Sequence, residues 1–302
     1  IREGTAVIDA KIRTLLAVAG SGSYTRAAEQ LCLTQPAVSH HIHQLEEEYG
    51  IKIFFRDKKA LHVTDEGAVL IKYARRAAGI SNMARQAIED IQRQVTHLNI
   101  GMTQTVGENT MPQVIGLYCE EHPHVRINIC TDTINNIYTM IKSYELDIGI
   151  VEGKLPVSDV KTVLLDTDYL CLIVSPLHPL AKRTSVGFSE LKREKMILRS
   201  PKTGTRLLLD SYLANLGSSV KDLNVIIEMD NVTMIKELVS LNMGISIIAH
   251  SICREEEQQG KLAVVPIENS NMIRQINMVH HPDFSHQEVL DDLRHIYRRL
   301  NR

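Results

Sequence analysis

The sequence predicts a multidomain α/β chain: a helix-turn-helix followed by a two-stranded wing, then one long helix, then a larger C-terminal α/β domain. Three observations carry this prediction. A proline-led helix follows a tight turn at residues 32–34, an apolar heptad runs through residues 70–91, and beyond residue 96 β-branched runs alternate with helical patterns. The 302 residues leave room for two or three domains at ~100–200 residues each. With 44% hydrophobic and 23% charged residues, the composition excludes a disordered or low-complexity chain. No apolar run nears the ~18–20 residues that a membrane-spanning helix needs. No basic, apolar, small-residue leader opens the sequence, so the expectation is a cytoplasmic protein without a membrane partner. Five scattered cysteines (Cys32, Cys119, Cys130, Cys171, Cys253), with no Cys-x-x-Cys pair, fit reduced thiols and neither a disulfide framework nor a zinc site.

The first helix is marked by Ile12, Leu15, Leu16 and Ala19, a stripe that stops at Gly20-Ser21-Gly22. Ser23 to Leu31 forms a second, short helix with alanines at its packing face, and Cys32-Leu33-Thr34 turns the chain. Pro36 suits the first turn of the third helix, where its missing N–H is not needed. Val38, Ile42 and Leu45 give that helix its buried side. Its polar face then offers Thr34, Gln35, Ser39, His40 and His43. A glutamine amide can pair bidentately with adenine in the major groove, hydroxyls can serve phosphates or bases, and Pro36 can touch a thymine methyl. After Gly50, residues 51–63 read as a wing whose basic tip, Arg56, Lys58 and Lys59, reaches phosphates or a narrow minor groove. The charge distribution agrees with this placement. Residues 1–99 hold 13 basic against 11 acidic side chains, while the remainder holds 21 against 25.

Thr64 can cap the long helix, with Asp65 and Glu66 in its first turn where the helix dipole favours acids. Leu70, Tyr73, Ala77, Ile80, Ala84, Ala87 and Ile91 recur at spacings of three and four. So narrow a stripe suits two helices packing along a shared seam better than an ordinary core face, and predicts a self-associating linker helix.

In the C-terminal zone three strands are expected within residues 98–107, 128–133 and 147–153, in a largely parallel sheet. Ligands of open α/β sheets lie at the carboxyl ends of strands, where helix N-termini direct free N–H groups at anions. Thr103, Gln104, Thr105, Thr131, Thr133 and Glu152 occupy such ends. A second subdomain starts near residue 170. Within it, Met196 to Arg206 reads as a strand, a Thr203-Gly204-Thr205-Arg206 turn and a helix start. Thr203, Thr205 and the Arg206 guanidinium there suit an oxyanion.

Taken together, Thr25-Arg26-Ala27-Ala28, Thr34-Gln35-Pro36-Ala37-Val38-Ser39, Leu45-Glu46, Phe55-Arg56 and Thr64-Asp65-Glu66-Gly67 resemble the LysR family of bacterial transcription regulators. The likeness covers residues 9–302. It implies a winged helix-turn-helix at 9–63, a dimerising linker helix at 64–95 and a two-lobed effector domain like periplasmic solute-binding proteins at 96–302. Lobe I would comprise 96–167 and 268–302, and lobe II 168–267. The implied partners are a double-stranded DNA operator, contacted also by Thr25 and Arg26, a small-molecule effector, further copies of the chain up to a tetramer, and RNA polymerase.

Where family members commonly carry arginines this chain has His40 and His43, so acidification is expected to strengthen DNA binding. His41 points away from both on a helix, which argues against a metal set. Thr103-x-Thr105-Val106-Gly107, Val151-Glu152-Gly153 and Gly204-Thr205-Arg206 are similar to the branch associated with sulfur, cysteine and sulfite control. Thr131-Asp132-Thr133 departs from that branch's Gly-Asn-Thr. No nucleophile-base set, metal cluster or dinucleotide fingerprint appears, so neither an enzyme nor a cofactor is expected. A solute-binding receptor without DNA function is the alternative reading.

Overall fold

The computed structural model describes residues 8–57, 60–108, 110–153, 159–201 and 203–301. The chain forms two compact units. One comprises Ile1–Leu98, His124–Arg126 and Thr139–Asp147; the other comprises Asn99–Pro123, Ile127–Tyr138 and Ile148–Arg302.

The first unit opens with helices α1 (Ala10–Ser21), α2 (Tyr24–Leu31) and α3 (Gln35–Tyr49). Each has a side-chain cap. Asp9 accepts from the Lys11 N–H, Ser23 from the Arg26 N–H and Thr34 from the Ala37 N–H, satisfying donors that a helix start leaves orphaned. Helix α1 runs through Gly20 and stops at Gly22, whose φ of 63° is the left-handed conformation that a glycine adopts without steric cost. That stop falls within the expected Gly20-Ser21-Gly22 stretch. Leu15, Val18, Ala27, Ala28, Val38, Ile42 and Leu45 form the core, closed by Ile53 and Phe54 from the wing. That wing is β1 (Phe54–Asp57) paired antiparallel with β2 (Ala60–Val63).

Helix α4 (Asp65–Arg93) is capped by Thr64, whose Oγ1 accepts the Gly67 N–H at 2.9 Å. Its 29 residues span roughly 44 Å at ~1.5 Å each. Ile71 and Ala74 pack into the three-helix core. At Gly79 a Cβ would overlap the carbonyl of Ser143, so only glycine permits this approach of backbone to backbone. Beyond Leu70, which packs against that core, the heptad stripe is exposed: Tyr73, Ile80 and Ile91 are 57%, 49% and 80% exposed.

The second unit is built on a sheet of order β10-β6-β11-β5-β3-β4, with β9 also on β6. The strands are β3 (Thr96–Met102), β4 (Val125–Thr131), β5 (Ile148–Glu152), β6 (Lys161–Val174), β9 (Ser246–Ala249), β10 (Ala263–Val265) and β11 (Ile273–His280). A separate parallel pair joins β7 (Lys195–Arg199) to β8 (Asn224–Met229). The expectation of a largely parallel sheet is corrected. β3 and β5 are parallel, but β6 and β11 run antiparallel to each other, and β11 to β5, because these two strands carry the chain out to lobe II and back. Helices α5 (Gln104–Gly107), α6 (Met111–Glu121) and α7 (Ile134–Lys142) follow β3 and β4. Helices α8 (Phe188–Leu191), α9 (Gly204–Asn215), α10 (Val232–Ser240) and α11 (Arg254–Gln258) belong to lobe II. The last helix, α12 (Gln287–Leu300), returns to lobe I, where Arg299 pairs with Glu121 at 2.8 Å. Among the described residues no helix is long and apolar enough to cross a membrane.

Candidate functional site

In the first unit the N-terminus of α3 presents Gln35, Pro36, Ser39, His40 and His43 to solvent. Val38, Ile42 and Leu45 hold the opposite side in the core, which fixes this orientation. Gln35 and Ser39 share a groove of about 220 Å³ with Arg56, Phe55 and Tyr24, so recognition helix and wing converge on one surface. Thr25 and Arg26 stand exposed in the first turn of α2. Thr34 is engaged as the cap of α3. His41 turns inward to the Thr14 hydroxyl at 2.9 Å, while His43 lies 3.5 Å from Glu47. Lys58 and Lys59 lie outside the described residues. His62, stacked on Phe55 at 5.3 Å, is an addition to the wing surface, a cross-strand pair that the antiparallel register of β1 and β2 creates.

In the second unit a cavity of about 480 Å³ lies between the carboxyl ends of β3, β4 and β7. Thr103, Gln104, Thr105, Thr131, Thr133, Glu152 and Thr203 line it. Thr103 donates to Glu152, and Glu152 faces Arg274 at 3.4 Å. Arg274, buried on β11, also donates to Asp168 at 3.1 Å and to the Thr205 hydroxyl at 3.4 Å, and Asp168 accepts from Ser251. This chain of buried charges ties β5, β6, β11 and the start of α9 together.

Two expectations for this cavity are corrected. Arg206 does not line it: its guanidinium donates to Asp210 one helical turn on at 3.0 Å, to Glu228 at 2.5 Å and to the Arg199 carbonyl at 3.1 Å. Burial opposes that charge, yet the two carboxylates outweigh it and hold Arg206 above the ordinary guanidinium value. Thr205 points instead to Arg274.

The cation of the cavity is Arg199, the last residue of β7. It is 2% exposed, and its one side-chain hydrogen bond runs from Nη2 to Gln104 Oε1 at 3.4 Å; Nε and Nη1 have no partner among the described residues. Burial pulls its pKa below the ordinary value, against the through-space support of Glu108, Asp230 and Glu152. Sequence reasoning passed over it as the end of an apolar strand. The available signal was an arginine at a strand's carboxyl end. Asp132 and Asp230 also line the cavity. Among the described residues no group of three or more His, Cys, Asp or Glu side chains could hold a metal ion.

A winged helix-turn-helix joined to a two-lobed domain with a polar cleft defines a ligand-responsive DNA-binding regulator. The family described as "Bacterial regulatory helix-turn-helix protein, lysR family" matches residues 10–68, and the "LysR substrate binding domain" matches residues 91–301. The chain therefore belongs to the LysR family of DNA-binding transcriptional regulators. It is 26% identical over 287 residues to a probable RuBisCO transcriptional regulator of Trieres chinensis, covering 93% of both chains. It is also 26% identical to the HTH-type transcriptional regulator CysL of Bacillus subtilis (strain 168), covering 90% of each. In fold it is similar to full-length OxyR from Pseudomonas aeruginosa, with a TM-score of 0.65 at 19% identity over 99% of this chain and 96% of that one.

Proposed function

We propose that the chain reads its operator through Thr25, Arg26, Gln35, Pro36, Ser39, His40, His43 and Arg56, and that a small anionic metabolite in the cavity of the second unit modulates this binding. Arg199 carries the ligand part of the reading. A guanidinium whose Nε and Nη1 hydrogens are buried and unpaired is costly unless an acceptor completes it, and an oxyanion supplies two parallel acceptors and the opposite charge. Around it the hydroxyls of Thr105, Thr131 and Thr133 add donors and acceptors, while Thr103 and Thr203, whose protons go to Glu152 and the Ser200 carbonyl, add acceptor capacity only. The exposed apolar stripe of α4 supports self-association through the linker helix, since a soluble chain rarely leaves such a stripe uncovered. Tetramer formation, contact with RNA polymerase and control of sulfur or cysteine metabolism complete the proposal; the last rests on the motif likeness around Thr103, Glu152 and Thr205.

The test is a thermal-shift series on the full chain with sulfate, phosphate, acetate and glycolate, repeated with Arg199→Met. At least one anion should raise Tm in the parent, because a ligand of the native state stabilises it, and the shift should vanish in the variant while operator binding persists. A shift that survives Arg199→Met, or none with any of these anions or with any L-α-amino acid, overturns the ligand reading.

A further inference from the structure

The cavity is not simply cationic. Among its described lining residues three carboxylates, Asp132, Glu152 and Asp230, stand against the single guanidinium of Arg199. Glu152 is compensated by Arg274. The other two have no cation in contact among the described residues. Asp132 spends Oδ1 on the Thr133 N–H and the Asn136 amide, both at 2.7 Å, and Oδ2 has no hydrogen-bond partner among the described residues. Asp230 makes no hydrogen bond or ion pair among them and acts on Arg199 only through space. Its position is set by strand register: Arg199 is aligned with Met229 across the parallel β7–β8 pair, so Asp230 follows at the same sheet end.

Resting on the ligand reading above, we infer that the ligand is a zwitterion of the α-amino acid class. Its carboxylate meets Arg199, and its ammonium meets the lining carboxylates of Asp230 and Asp132. A ligand carrying only negative charge would satisfy Arg199 yet face two carboxylates with no described counter-charge, a like-charge juxtaposition that selects against it. An ammonium brings three donors and the complementary charge to those same oxygens. The volume of about 480 Å³ lies in the ordinary range for small-molecule sites, ~300–1,000 Å³.

The experiment is calorimetric titration of the full chain with three matched series: the standard L-α-amino acids, α-hydroxy acids bearing the same side chains, and the corresponding primary amines. At least one amino acid should bind, with its hydroxy acid and its amine weaker by roughly ten-fold or more, about 1.4 kcal/mol. Asp230→Asn, a change at an exposed side chain without contacts, should remove most of the preference for the amino acid over the hydroxy acid. Arg199→Met should abolish binding of both. Hydroxy acids that bind as tightly as their amino acids would overturn the zwitterion and leave the anion reading standing. Amino-acid binding indifferent to Arg199→Met would overturn both. The absence of any amino-acid binder would overturn the zwitterion alone, as would a preference unchanged by Asp230→Asn.

Discussion

The two polar surfaces of this chain are built on opposite principles. On the face of α3 and the wing, Gln35, Ser39, His40 and Arg56 stand in water, and Arg56 has no ion-pair partner among the described residues. In the cavity, Thr103, Glu152 and Arg199 are buried, and Glu152 is held by Thr103 and Arg274. On the function proposed above, the difference follows from the partner each surface would meet. DNA is a rigid polyanion that binds by releasing counterions, so its reader keeps its side chains solvated and free until contact. A small ligand must be stripped of water on entry, so its groups need to be held in place beforehand. Changes on the first surface should therefore alter binding with little loss of stability, and breaking the buried pairs that hold Glu152 should strike the fold.

The largest expected effect tests that asymmetry directly. Arg274→Met leaves Glu152 and Asp168 facing each other without the cation between them. Removing one partner of a buried network costs about 3–5 kcal/mol, which urea unfolding of the full chain should register. A loss under about 1 kcal/mol would place the network with surface ion pairs and dissolve the contrast.

An intermediate effect is expected on the DNA side, where stability should hold. Gln35→Ala should lose about 1–3 kcal/mol of discrimination between operator and random duplex. Arg56→Ala should weaken both duplexes alike and reduce the slope of log affinity against log salt by about 1. Competition binding over a salt series separates the two. Equal losses from both variants on both duplexes would show that helix and wing do not divide the work.

The DNA-binding half was far more legible in sequence than the cavity, and the reason is physical. A helix-turn-helix is a local structure: Ser23, Thr34, Pro36 and Gly50 act within a few residues of where they stand, and Val38, Ile42 and Leu45 fix which face is outward. The cavity is assembled from strand ends far apart in the chain. The strand-end rule found Thr103, Thr131 and Glu152, because each ends an apolar run. Between Arg199 and Arg206 the reading took Arg206 and passed over Arg199. That choice depends on Asp210, one turn along the same helix, and on Glu228, delivered by the β7–β8 pairing, and together they retain Arg206 inside lobe II. The mixed sheet escaped for the same reason, since strand direction depends on where β6 and β11 lead, not on their composition.

The smallest effect concerns the joint between the two halves of the DNA-binding surface. Glu46, on α3, accepts the Ile53 N–H at 2.9 Å and pairs with Lys52 at 2.6 Å, fixing the root of the wing. Burial works to raise its pKa, but the bonds from Lys52 and Ile53 outweigh that and hold it below the ordinary carboxylate value. The folded state therefore binds its proton less readily than the unfolded chain. The stabilisation is complete above the ordinary glutamate pKa of about 4.3 and is lost as pH falls through the lower folded value. Glu46→Gln should thus be less stable than the parent at neutral pH, with the gap closing as the medium is acidified below that range. Lys52 is largely exposed, so salt should shrink its share of the gap and leave the Ile53 share intact. Urea unfolding of parent and variant across the acid range measures this, and a gap that stays constant with pH would assign the role of Glu46 to packing instead of charge.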